Sequence, residues 1–160
     1  MERPIPRPAT PEDAEAVVAL ARLAWTPIFE EYRRRLGDEL FMLFYPTALS
    51  DKEAQVRAAI DTGTLYVTMV EGRLAAFITV TFDKKAMVGR ISNNAVHPDL
   101  RGQGLAGVQY AFAKEHLRAL GAKAVAVMTG LDDAHAPARR AYEKAGFEKT
   151  LPNVTYFQTL

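Results

Sequence analysis

Apolar residues recur at helical spacing through the first 60 residues of the chain. A short extended segment over 5–9 comes first, and Thr10 with Asp13 three residues later has the form of a capping box. Trp25-Thr26-Pro27 is expected to interrupt the helix that follows, and Gly37 is expected to end the next one. The helices predicted in this part are 10–24, 28–36, 38–45 and a fourth that opens at the capping box 50–53 and ends near Gly63.

The pattern changes at Leu65, where apolar and β-branched residues predict strands. The predicted elements are strands 65–70, 74–82 and 91–96, a helix over 104–120, a buried strand over 122–128, a helix over 134–145, and a closing pair of strands over 147–151 and 154–160. The residues of the long helix expected to face inward are Leu105, Val108, Phe112 and Leu117. This order predicts an α/β (α+β) fold with a central mixed sheet flanked by helices.

Composition narrows the class of protein. The 160 residues fit a single domain, 1–160, and the net charge of +1 gives no overall field that would favour nucleic acid or a membrane surface. The chain has no cysteine, which excludes a disulfide framework, a thiolate zinc site and a cysteine nucleophile. No signal peptide is recognised, and no apolar stretch reaches the roughly 18 residues of a membrane span, so a cytoplasmic protein is expected.

The segment between Val96, which ends a strand, and Leu105, which begins a helix, is the main candidate for chemistry. A helix start exposes backbone N–H groups, and Gly102 and Gly104 let that backbone approach a ligand without a side chain in the way. Arg101 adds a guanidinium suited to phosphate oxygens. Together these features predict an anion site that fits a diphosphate.

Two other interpretations of this loop must be weighed. The glycines could form a plain turn, and residues 102–107 match the GxGxxG pattern of a dinucleotide-dependent oxidoreductase. The dinucleotide pattern is disfavoured because five residues separate Val96 from Gly102, where the corresponding turn is tight. It is also disfavoured because residues 124–127, about 20 positions further on, contain no acid for a ribose hydroxyl.

Two motifs resemble those of the GCN5-related N-acetyltransferase (GNAT) superfamily. In residues 96–106, Arg101, Gly104 and Ala106 fill the fixed positions of the family pattern Q/R-x-x-G-x-G/A. Residues 138–147 are similar to the family pattern A-x-x-x-Y-x-K-x-G-F. The two motifs occur in the family's order, with a helix and a strand between them, and the order of elements agrees along essentially the whole chain.

The resemblance implies the GNAT fold and acetyl-CoA as the acyl donor. In that fold the pantetheine arm inserts between two parallel strands, here 93–96 and 124–129, and a backbone N–H near Ala95 or Val96 polarises the thioester carbonyl. His135 stands where the family commonly has an asparagine that contacts the arm. The residues implied in cofactor binding are Ala95, Val96, Arg101, Gly102, Gln103, Gly104, Leu105, Ala106 and His135.

The resemblance also implies a catalytic role for Tyr142, as the acid that protonates the departing thiolate. The alternative for Tyr142 is a core residue packed beside Phe147. The general base stays open between a water held by Asn93 or Asn94 and a carboxylate. The carboxylates considered are Glu30, Glu31 and Asp83.

The acceptor is expected to be a primary amine of a small molecule or a protein N-terminus. Six of the fifteen aromatic residues fall within 25–45, so Trp25, Phe29 and Tyr32 are predicted to line its pocket. The three histidines do not have the spacing of a metal site. A homodimer through the terminal strand 154–160 is possible on this pattern. The alternative function is a non-catalytic GNAT-fold module that binds acyl-CoA as a sensor or partner domain.

Overall fold

A central sheet of five strands, in the order in which they follow along the chain, organises the structure, a computed structural model that describes residues 4–160. The strands are β1 (Arg7–Pro8), β2 (Leu65–Val70), β3 (Arg73–Asp83), β4 (Val88–Val96) and β5 (Ala124–Val127). Neighbouring strands are antiparallel except β4 and β5, which are parallel. The helices are α1 (Ala14–Phe44), α2 (Ala48–Asp61), α3 (Leu105–Ala119) and α4 (Ala136–Lys144). The predicted mixed sheet with flanking helices is confirmed.

Each face of the sheet has its own apolar core, because successive residues of a strand point to opposite faces. On β3, Phe77 packs with α1 and α2, whereas Ile78 packs with α3 and α4. Both side chains have no exposed surface. The parallel pair β4 and β5 is joined through α3, and this connection crosses the face that carries Ile78.

The predicted interruption of the first helix at Trp25-Thr26-Pro27 is wrong, because α1 continues through Pro27. Pro27 is exposed, so water can hydrogen-bond the carbonyl that loses its N–H partner. The break predicted at Gly37 is confirmed, since this residue has φ 78° and ψ 163° inside the segment. The helix predicted to open at 50–53 begins earlier, at Ala48, where the side chain of Thr47 donates a 2.8 Å hydrogen bond to Asp51.

The closing pair of strands over 147–151 and 154–160 is not formed. Instead, Phe157 packs against Phe44 with ring centroids 4.9 Å apart, and Tyr45 lies nearby. The apolar residue Phe157 of this segment is thus packed against the end of α1 and not within a strand. As a result β5 lies at the edge of the sheet and is half exposed rather than buried. The predicted homodimer therefore loses the terminal strand on which it was based.

No helix within residues 4–160 is both long enough and apolar enough to cross a membrane.

We predict that Gly89→Ala destabilises the fold. Gly89 lies on β4 under α3, and an added Cβ would lie 2.4 Å from Cδ1 of the buried Leu117. Overpacking of this kind costs about 1–3 kcal/mol, measured as the free energy of unfolding in urea.

Gly107→Ala is the matched control, because a Cβ there meets nothing within 4 Å and alanine favours the α3 helix. A Gly89→Ala variant as stable as Gly107→Ala would contradict the close contact between α3 and β4.

Candidate functional site

The parallel strands β4 and β5 separate part of the way along the sheet. Their pairing runs from Val88 with Ala124 to Ile91 with Val127 and ends there, while β4 continues beside β3 to Val96. A gap therefore opens along residues 92–96, on the side of β4 that faces away from β3. The parallel arrangement predicted for these two strands is confirmed.

A bulge in β4 coincides with this separation. Ile78 on β3 pairs with Asn94, but Val80, two residues on, pairs with Ile91, three residues back. One extra residue is thus inserted in β4 around 92–93, which bends the strand and locally re-aims its side chains. Bulges of this kind are common beside active sites.

The backbone of residues 92–96 has hydrogen-bonding capacity to spare. Ala95 pairs with Phe77 and Val96 with Ala76, so one edge of the strand is occupied by β3. In an antiparallel pair the N–H and C=O groups of alternate residues point the other way. These groups face the gap, where β5 pairs with none of residues 92–96 in the part of the chain that the structure describes.

The loop after β4 leads to an uncapped helix start. Gly102 and Gly104 have φ of 79° and 80°, a left-handed conformation that disfavours any other residue, although a Cβ at either would meet nothing within 4 Å. Gly104 is the N-cap of α3 and supplies no side-chain hydrogen bond. The first N–H groups of α3 are thus open to an anion, and the exposed Arg101 stands just before them.

The other predicted loop residues differ in exposure. Gln103 is exposed, Ala106 is half-buried, and Leu105 is buried with 4% of its surface exposed. Leu105 therefore anchors the helix start to the core while the preceding residues face solvent. The predicted loop and helix start are present at these residues, and their contact with the cofactor remains a prediction.

Tyr142 belongs to a buried hydrogen-bond chain across α4, β4 and α3. Asn94 donates from Nδ2 to the Tyr142 hydroxyl oxygen at 3.0 Å, and the Tyr110 hydroxyl donates to Asn94 Oδ1 at 3.0 Å. The two tyrosine rings lie 5.0 Å apart, and Tyr142 also packs edge-on against Phe147. Tyr142 is thus a core residue and a member of a polar network at the same time.

The Tyr142 hydroxyl oxygen accepts the hydrogen bond from Asn94. Burial raises the pKa of Tyr142, and the hydrogen bonds with Asn94 and Tyr110 only partly offset this rise. Burial, together with the neighbouring Tyr142, raises the pKa of Tyr110 further. Both groups are therefore neutral donors across the physiological pH range.

Tyr110 and Asn94 carry more of the site than the sequence indicated. Within α3 the residues expected to face inward included Val108 and Phe112, both of which are half-exposed. The buried residues of α3 are Leu105, Gln109, Tyr110, Ala113 and Leu117. Ala106, Tyr110, Ala113 and Leu117 also recur at helical spacing, and this signal could have found Tyr110.

His135 is held by Asp132 at the start of α4. Their side chains lie 2.7 Å apart, Nδ1 to Oδ2, and are 15% and 10% exposed. Burial by itself would raise the pKa of Asp132, but the hydrogen bond and charge of His135 outweigh it and lower the pKa. A Cβ at Gly130 would clash with the side-chain ends of both Asp132 and His135, so the pair can keep this position only beside a glycine or by shifting. The predicted contact of His135 with the cofactor remains a prediction.

The three residues predicted to line the acceptor pocket fall into two groups. Trp25 stacks on the core residue Phe77 at 6.3 Å. Phe29 meets Tyr32 at 5.9 Å, and the Tyr32 ring lies 6.3 Å from that of His135. Tyr32 thus connects α1 to His135 at the start of α4, beyond the end of β5.

Two of the three carboxylates considered as general bases, Glu31 and Asp83, are poorly suited. Hydrogen bonds from Arg34 and Arg35 hold the pKa of Glu31 at about 2, so this group is a weak base. Asp83 accepts from two backbone N–H groups in the turn between β3 and β4. It pairs with Val88, which at about 3.3 Å per residue lies roughly 20 Å along the strand from Asn94.

The two asparagines considered as water holders are both engaged by side chains. Asn94 bonds both tyrosines of the buried chain. Asn93, on the opposite face of β4, accepts from Lys52 at 2.8 Å and donates to Gln55 at 3.1 Å. Sequence spacing could not have found these contacts, since they join residues about 40 positions apart.

No group of three or more histidine, aspartate or glutamate side chains that could hold a metal ion occurs in residues 4–160.

A mixed sheet with two diverging parallel strands above a glycine-rich helix start defines an acyl-CoA N-acyltransferase fold. The sequence model of the acetyltransferase (GNAT) family matches residues 21–147, and the chain belongs to this family. The resemblance noted in the sequence is confirmed, whereas a dinucleotide-dependent oxidoreductase is not supported. None of the curated proteins matches this chain in sequence.

Solved structures of similar fold include several acetyltransferases. The PaiA N-acetyltransferase of Thermoplasma acidophilum, in complex with coenzyme A, is 14% identical, with a TM-score of 0.72 over 92% of this chain and 91% of that one. AAC(6')-Iy, in complex with a bisubstrate analog, CoA-S-monomethyl-acetylneamine, is 15% identical, with a TM-score of 0.68 over 99% and 100%. The BH1408 protein of Bacillus halodurans is 20% identical, with a TM-score of 0.70 over 98% and 99%.

We predict that Tyr110→Phe destabilises the fold. The change removes the donor to Asn94 Oδ1 in a site where Tyr110 is only 3% exposed. An unsatisfied buried acceptor costs about 1–3 kcal/mol, measured as the free energy of unfolding in urea.

Tyr156→Phe makes the same chemical change at a residue that is 90% exposed, and is expected to shift stability by less than about 0.5 kcal/mol. Equal effects of the two substitutions would show that the buried chain adds nothing to stability.

Proposed function

We propose that the chain transfers an acetyl group directly from acetyl-CoA to a primary amine of a small molecule or a protein N-terminus. The observation that carries this proposal is the gap between β4 and β5, which opens at the same end of β4 as the uncapped start of α3. A gap lined with free backbone groups suits an amide-containing arm, and a helix start suits the phosphates at its far end.

The residues of the loop fit the anionic part of acetyl-CoA. Arg101 and the N–H groups of residues 102–106 would hold the diphosphate, with Leu105 fixing the helix start. Backbone groups of Ala95 and Val96 would bond the pantetheine arm, with His135 on its other side. The cosubstrate supplies the activated acetyl thioester, and an N–H of β4 aimed at its carbonyl oxygen would stabilise developing negative charge.

Tyr142 is proposed as the general acid. The amine nitrogen forms a bond with the acetyl carbon, the carbon–sulfur bond breaks, and the sulfur leaves with the electron pair. Tyr142 Oη would donate its proton to that sulfur, giving the free thiol. The nitrogen, which attacks as the neutral amine, would lose one proton to solvent to give the N-acetylated amine, and the tyrosinate would regain a proton from solvent. The position of the Tyr142 hydroxyl, whose oxygen accepts a hydrogen bond from Asn94, and its neutral form at physiological pH support this role.

The aromatic residues of α1 are proposed as the acceptor wall. Trp25, Phe29 and Tyr32 are all half-buried, so each presents part of its ring surface. The acetylneamine analog bound by AAC(6')-Iy supports an amine as the acceptor in this chain as well. A half-exposed aromatic surface excludes water from the reacting amine. The polar groups around it would then select which amine binds.

We predict that the chain binds acetyl-CoA and that Arg101→Gln weakens this binding by about 10- to 100-fold. Charge-assisted hydrogen bonds to phosphate contribute roughly 1.5–3 kcal/mol each. Isothermal titration calorimetry measures the Kd of acetyl-CoA, and a separate titration with NAD tests the alternative cofactor.

Arg118→Gln is the control, since Arg118 is exposed at the opposite end of α3. Binding of NAD but not acetyl-CoA would overturn the cofactor assignment. Equal losses in the two variants would remove Arg101 from the phosphate site.

We predict that Tyr142→Phe lowers kcat by about 100-fold or more with little change in the Kd of acetyl-CoA, because general-acid catalysis contributes roughly 10²–10⁴. Release of the free thiol across a panel of amines measures turnover. The acid form of Tyr142 exists below its pKa, which burial raises above the usual value near 10. Deprotonation of this group should therefore cause no fall in kcat up to about pH 10.

An unchanged kcat in Tyr142→Phe across this pH range would refute the general-acid role. If acetyl-CoA binds and no amine releases thiol, the chain is instead an acyl-CoA-binding module without acetyltransferase activity.

A further inference from the structure

Lys52 extends from α2 to the bulge in β4. Its ammonium nitrogen donates to Asn93 Oδ1 at 2.8 Å and to Gln55 Oε1 at 3.0 Å. The same nitrogen lies 4.7 Å from the centre of the Trp25 ring, within cation–π range. The positive charge is thus fixed between α1, α2 and β4 by neutral groups.

No carboxylate balances this charge among residues 4–160. Lys52 forms no salt bridge there, and the nearest acids along α2 are engaged elsewhere: Glu53 pairs with Arg22 at 2.5 Å, and Asp51 accepts from Thr47. Burial lowers the pKa of Lys52, because the partly buried ammonium loses some of its hydration. A half-buried, unbalanced cation is an unfavourable arrangement that a bound anion would relieve.

The charge also lies next to the proposed reaction centre. Asn93, which holds Lys52, directly precedes Asn94, which holds the hydroxyl of Tyr142. Adjacent strand residues face opposite sides of the sheet, so Lys52 lies across β4 from the proposed acid. An acceptor between the aromatic residues of α1 and the gap would have its amine near β4 and the rest of its structure near Lys52.

We propose that the ammonium of Lys52, held in position by Asn93 and Trp25, forms an anion subsite that binds the carboxylate of a zwitterionic acceptor, such as a free amino acid. This inference rests on the proposed acetyltransferase function and names its substrate class. A polycationic amine would meet the unbalanced charge of Lys52 and be repelled, whereas a carboxylate a few bonds from the reacting amine would pair with it. The aromatic wall would then favour an apolar side chain.

The test compares each amino acid with its own carboxamide, for example phenylalanine with phenylalaninamide, by release of the free thiol from acetyl-CoA. Each kcat/KM is divided by the fraction of the amine that is unprotonated at the assay pH. In the unmodified protein, this corrected value for the acid should exceed that for the amide by about tenfold or more, the worth of one charge-assisted hydrogen bond. In Lys52→Gln this ratio should fall to about 1 through loss of activity on the acid alone. Lys52→Arg should keep much of the preference, and Lys84→Gln, in the turn at the far end of β4, should keep all of it.

The ratio between variants cancels the different basicities of the two amines, and thermal unfolding of each variant checks that it folds. A corrected acid-to-amide ratio of about 1 in the unmodified protein would overturn the subsite and leave the acetyltransferase proposal standing. Equal losses on acid and amide in Lys52→Gln would show that Lys52 only ties α2 to β4, and would also overturn it. Binding of acetyl-CoA without turnover of any amine would overturn the proposed function and the subsite together.

Discussion

The separation of β4 from β5 beyond Ile91 and Val127 is the constraint on which the rest of the site depends. Two parallel strands normally satisfy each other's backbone, so a strand that loses its neighbour must find other partners for its N–H and C=O groups. In this chain the bulge at 92–93 bends β4 at that point, and pairing with β3 keeps the rest of the strand in place. The opening is therefore fixed by the sheet itself and does not require a mobile loop.

The two asparagines of β4 make their side-chain hydrogen bonds on opposite faces of the sheet. Asn94 joins α3 and α4 through Tyr110 and Tyr142, and Asn93 joins α2 through Lys52. Each carboxamide makes two side-chain hydrogen bonds, so neither contributes a large unsatisfied cost where the strand is bent. A strand that must place polar groups on both faces cannot also be a plain apolar strand, which explains its polar sequence in the middle of the fold.

Local signals predicted the elements whose chemistry is local. The glycines at 102 and 104 require left-handed backbone, and Gly37 and Gly121 mark helix ends in the same way. The prediction of closing strands at 147–160 is wrong because a β-like composition does not specify the segment against which it packs. Phe157 packs on the end of α1 instead. The break expected at Pro27 failed because an exposed position tolerates one lost hydrogen bond in a long helix. Tyr110 was missed because neighbouring apolar residues had an equally regular spacing.

The sequence by itself determined the family, the order of elements from β2 to α4 and the loop before α3, since these depend on backbone conformation and on motifs within a dozen residues. It also identified Tyr142 within the second family motif, residues 138–147. The tertiary structure alone decided what Tyr142 touches, which charge lies beside β4, and that β5 stays at the edge of the sheet. Those contacts join residues 40 to 50 positions apart, and their geometry arises only when two helices on opposite faces meet the same bent strand.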